Sequence, residues 1–143
     1  MNQTLRFAVA CCAAASMALA GCEVFVIGGT ARAPVVEISQ RSAAGVVHLF
    51  KAELDSNNMA AATELIIHSS GRKLLAIEKY EMRDELARWR RLLVQKPITS
   101  FRIDTVETDV HDVDAVFDRI RHVSFSTRRV NDSWFITRIA DAQ

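Results

Sequence analysis

The chain has 143 residues, and its 18 basic and 17 acidic side chains leave a net charge of +1. That balance gives no electrostatic case for nucleic acid as a partner. The three cysteines, Cys11, Cys12 and Cys22, all precede Glu23, so everything downstream must fold on its apolar core without a disulfide.

In chain order, residues 1–21 read as a secretory signal. Arg6 and the amino terminus form a small positive region, Phe7 to Leu19 is an uncharged apolar run, and the small residues Ala20 and Gly21 open a cleavage site. The run is too short to span a bilayer, which needs roughly 20 apolar residues. Leu19-Ala20-Gly21-Cys22 directly behind it resembles the lipobox of bacterial lipoproteins. The resemblance implies a diacylglycerol on the Cys22 thiol, cleavage between Gly21 and Cys22, and acylation of the new amino group. The chemistry is sensible, because a thiol forms a thioether to lipid and small residues let the backbone enter a peptidase site. Each buried lipid CH₂ is worth roughly 0.8 kcal/mol, so two or three chains on one cysteine hold firmly where one chain would not. The alternative is an ordinary secretory signal cut near Ala20, leaving a free thiol. Glu23 is not the aspartate that resembles an inner-membrane retention signal, which leans the expected location toward the outer membrane, with the domain facing the periplasm.

Residues 22–41 read as a lipidated N-terminus and tether, and 42–143 as one domain. Val24-Phe25-Val26-Ile27 is more apolar than a flexible linker; it either lies at the lipid surface or packs on the domain or a sheet edge. Gly28-Gly29-Thr30 is too short for a phosphate loop and lacks Gly-Lys-Ser/Thr, so no cofactor is expected.

Ser42 is placed to cap a first helix running to about Asp55, with Ala43, Val46, Val47, Phe50 and Leu54 on one stripe. Ser56-Asn57-Asn58 is a turn, and Asn58 caps a second helix with Met59, Ala62, Leu65 and Ile66 inward. A third helix is expected from Ser70 or Arg72 to about Gln95, with Leu75, Met82, Leu86, Trp89 and Leu93 on one face and Pro97 ending it. At roughly 1.5 Å per residue it would exceed 30 Å.

The period then changes to two. Ile98 to Thr108 reads as a strand and Asp109 to Asp112 as a turn. Ala115 to Ile120 reads as a second strand or a short helix. Val123 to Val130 is a strand, Asn131-Asp132-Ser133 a hairpin turn, and Trp134 to Ala140 the closing strand. Helices segregated from strands imply an α+β domain, three N-terminal helices packed on a curved antiparallel sheet of about four strands.

Three segments carry a further likeness: Val46–Leu54 with the turn and alanine-rich stretch through Ala62, the strand opening Ile98–Ile103, and Asn131–Ile136 with its tryptophan. They are similar to the nuclear transport factor 2-like, cystatin-like cone fold, and particularly to small bacterial lipoproteins of unknown function that carry it. The resemblance implies a cone-shaped domain from 42 onward. The fold hosts isomerases, dehydratases and binding modules, so it does not assign an activity.

Asp109, His111, Asp112 and Asp114 have oxygen ligands suited to calcium or magnesium but match no loop pattern, so a solvated turn is the plainer reading. His48, His68, His111 and His122 are unpaired at helical spacing, which excludes a zincin helix; His48 is off the apolar stripe and expected to face solvent. There is no Gly-x-Ser-x-Gly. Arg88, Arg90, Arg91 and Lys96 around Trp89 either face anionic headgroups or form the solvated side of a helix whose tryptophan is core. Arg119, Arg121, Arg128, Arg129 and Arg138 add positive charge to the strands. Tyr80, Asp104, Glu107 and Asp118 are the groups an enzyme of this fold would draw on.

The expectation is therefore a membrane-anchored periplasmic lipoprotein, a non-catalytic module binding a protein or small ligand. Its partners are membrane lipid through Cys22 and that ligand or protein, with no catalytic or metal residue assigned. The rival readings are a small isomerase- or dehydratase-type enzyme and an assembly subunit of an envelope complex.

Overall fold

The computed structural model describes residues 35–142. Cys22, Gly21, the signal segment and most of the expected tether lie outside the described residues. The fold is α+β: four helices precede an open four-stranded antiparallel sheet of order β1-β2-β3-β4. Among the described residues no helix is long and apolar enough to cross a membrane.

Helix α1 (Ala43–Asp55) begins where Ser42 accepts a hydrogen bond from the Gly45 N–H at 2.9 Å. Its stripe of Ala43, Val46, Val47, Phe50 and Leu54 is buried as the spacing predicts. Lys51 is buried as well, its ammonium on the Asp55 carboxylate. The other Asp55 oxygen accepts from the Gln95 N–H at 2.9 Å, which ties the end of α1 to the segment leaving the last helix. Asn58 caps α2 (Met59–Glu64) through the Ala61 N–H at 3.3 Å.

The expected long helix does not form as one piece. Leu65-Ile66-Ile67 leaves α2 and lies along the closing strand instead. The Ile67 N–H donates to the Ile136 carbonyl at 2.9 Å, and the Ile136 N–H to the Leu65 carbonyl at 2.9 Å. The chain then turns at Gly71, whose φ of +91° suits glycine. Helix α3 (Ala76–Glu81) starts only after this loop, and Met82 separates it from α4 (Arg83–Leu93). Leu86, Trp89 and Leu93 of α4 are buried as expected, whereas Leu75 is exposed. The apolar spacing that defines α4 does not extend inward through α3.

Strand β1 (Ile98–Glu107) pairs with β2 (Val110–Phe117), β2 with β3 (Arg121–Val130), and β3 with β4 (Ser133–Asp141). The residues read as a turn, Val110 to Asp112, are in β2, and the helical alternative for 112–122 gives way to strand, turn and strand. Register with β3 decides this: Val113 opposes Phe125 and Ala115 opposes Val123, all four buried. The β3–β4 hairpin turns on Asn131 and Asp132, with φ of 49° and 62°, the pair of positive values that a tight primed turn requires.

The helix-facing side of the sheet is packed around Phe125, and a cleft of about 180 Å³ remains between α4 and β4, lined by Ile66, Met82, Leu86, Trp89, Thr137 and Ile139. Phe50 of α1 meets Phe125 edge-on at 6.2 Å between ring centroids, and Phe117 packs beside Phe125 at 6.4 Å. Trp89, Leu86, Leu93, Val113, Val123 and Ile136 complete the core. Gln40, assigned to the tether, docks on the sheet: it accepts from the Trp134 N–H at 2.7 Å and its side-chain amide donates to the Trp134 carbonyl at 3.1 Å.

Candidate functional site

The polar groups singled out by sequence do not converge. His48 is half-buried rather than solvent-facing, because Phe101 of β1 lies edge-on against its ring at 5.8 Å. Its Nε2 is buried and has no hydrogen-bond partner among the described residues. Burial holds its pKa below the usual imidazole value, so the ring favours the neutral form. His68 hydrogen-bonds Ser70 Oγ at 2.9 Å in the exposed loop, and His111 packs on Trp134 at 4.4 Å. His122 is exposed on β3.

The aspartate cluster is dispersed by the pleat of β2. Asp109 pairs with Arg129 at 2.7 Å, and Asp114 with Arg102 at 3.0 Å. Asp112 and Asp114 share the outer face, while His111 points to the other side with Val113's alternate neighbours. No group of three or more metal-ligating side chains forms among the described residues. Asp104, Glu107 and Asp118, the strand carboxylates considered as inward-facing, are exposed. Trp89 is core, its Nε1–H donating to Glu85 at 3.3 Å, with the Arg88 guanidinium 5.3 Å from the ring centroid. Arg88 and Arg121 both pair with Asp141, at 3.0 and 2.9 Å.

The strongest candidate site is an exposed apolar cluster on α3 that includes only Tyr80 of the polar groups named above. Helix α3 has no buried residue. Leu75, Ile77 and Tyr80 are exposed by 59%, 59% and 66%, a cluster of large apolar groups on one short segment. A cleft of about 500 Å³ opens beside it, lined by Met59, Thr63, Tyr80, Arg83, Leu86 and Ala87 among others. A second cleft of about 400 Å³ continues along α2 and α3 through Ala60, Glu64, Ala76 and Lys79.

Charged contacts hold α3 in place where apolar burial does not. The Arg72 guanidinium grips the Glu78 carboxylate with two bonds, at 2.7 and 2.6 Å. The same carboxylate accepts from the Leu75 N–H at 2.7 Å, which satisfies a free donor at the helix start. Arg72 first, and then the Leu75 amide, push the Glu78 carboxyl down to about 2. Lys79 reaches across to Glu64 of α2, and the Arg83 guanidinium stands 5.6 Å from the centroid of the Tyr80 ring. The cleft walls carry methionine, alanine and an aromatic ring between these pairs. Such a surface suits an amphipathic segment, with apolar groups to bury and charges at the rim. Gly71 lies in the loop before α3, and the break at Met82 separates Leu75, Ile77 and Tyr80 from the stripe of α4.

No protein-family model matches this chain, and no curated protein or solved structure does either.

Proposed function

We propose that this chain is a lipoprotein of a bacterial cell envelope, anchored through Cys22 after cleavage at Gly21, and that its domain is a non-catalytic binding module. The domain is read as the cystatin-like cone type, with α1 packed on all four strands of the sheet. The observation that carries the binding role is α3: a helix that buries nothing and leaves Leu75, Ile77 and Tyr80 exposed beside the clefts along α2. Exposed apolar surface of this extent costs solubility unless a partner covers it. The anchor rests on Leu19–Cys22, and Glu23 favours the outer membrane with the domain in the periplasm.

The same observation favours a protein partner over a small ligand, because the clefts are open and rimmed by ion pairs. It also gives weight to the assembly-subunit reading, which differs only in how permanent the partner is. A photo-crosslinking residue at Ile77 of the full-length chain, in its own envelope, is expected to yield one adduct of defined mass. The same probe at His122, an exposed residue of β3, is expected to yield none. Equal labelling at both positions, or none at Ile77, would overturn the assignment of this surface.

A further inference from the structure

We propose that β1 pairs edge to edge with β1 of a second copy of this chain, about a two-fold axis at Ile103. This inference is independent of how the chain is anchored and of what covers α3. The two edges of the sheet differ. The first half of the β4 edge is occupied, at Trp134 by Gln40 and at Ile136 by Leu65–Ile67. The β1 edge has no neighbour among the described residues. An uncovered edge is a row of unpaired donors and acceptors, and β-proteins either block it or use it.

Which backbone groups face that edge follows from the ladder. The Arg129 N–H donates to the Asp109 carbonyl at 2.8 Å, and the Ala142 N–H to the His122 carbonyl at 3.1 Å. Antiparallel residues alternate the side to which they bond. The odd-numbered residues of β2 therefore bond to β3, and Asp112, Asp114 and Val116 bond to β1. Their partners are Asp104, Arg102 and Ser100. That leaves the N–H and C=O groups of Phe101, Ile103 and Thr105 pointing outward.

Register irregularities interrupt β1 between Ile98 and Ser100 and between Thr105 and Glu107, so only 100–105 is regular. A two-fold axis across an antiparallel pair must set a residue opposite itself. Ile103 is the outward-bonding residue that keeps the pairing within this regular stretch. The axis there sets Phe101 opposite Thr105 of the second copy, and every outward donor and acceptor of Phe101, Ile103 and Thr105 is matched.

The side chains agree with this register. Ile103 is 42% exposed on the helix-facing side and would meet its own copy. On the outer side Arg102 would oppose Asp104 of the second copy, and Asp104 would oppose Arg102. This face holds an excess of carboxylate: Arg102 already serves both Asp104 at 2.8 Å and Asp114 at 3.0 Å, and Asp104 lies directly opposite Asp112. A second Arg102 brings Asp104 the cation it lacks. Opposite charges at directly facing positions stabilise a sheet and like charges oppose it.

The test uses the full chain expressed in a bacterial envelope. Ile103→Cys places two thiols across the axis with Cα atoms about 5.5 Å apart, within disulfide reach. Mild oxidation is expected to give a covalent dimer from Ile103→Cys, and none from Thr105→Cys or from the unsubstituted chain. Adding Asp104→Arg to Ile103→Cys leaves the fold intact, since the new arginine faces Asp112, but sets like charges across the axis. It is expected to cut the dimer yield about tenfold, as is Arg102→Asp. Co-expressing these two charge variants, one with a size tag, is expected to restore a mixed dimer, because each supplies the charge the other lost. Dimer from Thr105→Cys as strong as from Ile103→Cys, yields unchanged by charge reversal, or no mixed dimer would overturn the proposal.

Discussion

Phe50→Ala is expected to destabilise the domain by about 3–5 kcal/mol, the range for removing a buried aromatic ring. Domains have roughly 5–15 kcal/mol in total, so the loss is a large share of the stability and abolishes folding if the parent lies at the low end of that range. Phe50 is fully buried, sits at the centre of the α1 stripe, and meets Phe125 edge-on across the helix–sheet boundary. Truncation removes its contacts with both layers, and the rings of Phe117 and Phe125 are held by the sheet and cannot collapse into the gap. Ile77→Ala is the matched comparison: it removes a large apolar side chain from α3, where the residue is 59% exposed, and is expected to stay within about 0.5 kcal/mol of the parent. Urea denaturation followed by tryptophan fluorescence reads both. Equal midpoints for the two variants would contradict this placement of the core.

The second large effect is at Gly45, where the usual rule reverses. Glycine inside a helix costs about 1 kcal/mol relative to alanine, so Gly45→Ala would ordinarily stabilise α1. Here a Cβ would stand 2.5 Å from the Ser39 carbonyl oxygen and 2.7 Å from that of Glu37, both backbone atoms, and 2.8 Å from Ser42 Oγ. The two carbonyls cannot move aside as a flexible side chain would, and the Ser42 hydroxyl can do so only by giving up its cap bond to the Gly45 N–H. The methyl group must push residues 37–39 away from the helix or disturb the Ser42 cap. Gln40, next in the chain, is hydrogen-bonded to Trp134, so the displacement also pulls on the start of β4. Gly45→Ala is expected to cost about 1–3 kcal/mol, the range for overpacking. Thermal unfolding checks it, and an increase in Tm would show that residues 37–39 do not cover the helix.

These two positions also show what was legible in the sequence. The α1 stripe with its Ser42 cap, the Asn58 cap, the buried alternation of Val123, Phe125 and Thr127, and the Asn131–Asp132 turn all rest on signals within a few residues. They were readable, as was the α+β class that follows from their order. What was not readable depends on distant partners. Leu65–Ile67 carries helix-compatible residues, but Ile136 takes its hydrogen bonds, and the following loop then shortens the next helix to α3 and α4. The aspartates of β2 look like a turn until Val113 and Ala115 are set against Phe125 and Val123. His48 lies off the main stripe of α1, and only the position of Phe101 in β1 makes it half-buried. The candidate site failed to show for the same reason: Leu75 fits the period of α4, but the helix is interrupted at Met82 and Leu75 stays exposed.

The charges at α3 bear on how such a surface stays folded without burial. Arg72, Glu78 and the Leu75 amide form one exposed network, and Lys79 ties the helix to Glu64. Exposed pairs of this kind contribute little singly. A helix of six residues held in this way is among the parts of the fold that open most readily, which suits a surface that reshapes around a partner.

The intact mass of the mature protein, taken from its own envelope in mild detergent, tests whether Cys22 ties this domain to a membrane. The expected mass is that of a chain that begins at Cys22 and carries two or three acyl chains with the glyceryl thioether. A chain cut near Ala20, or one beginning at Cys22 with an unmodified thiol, would contradict it.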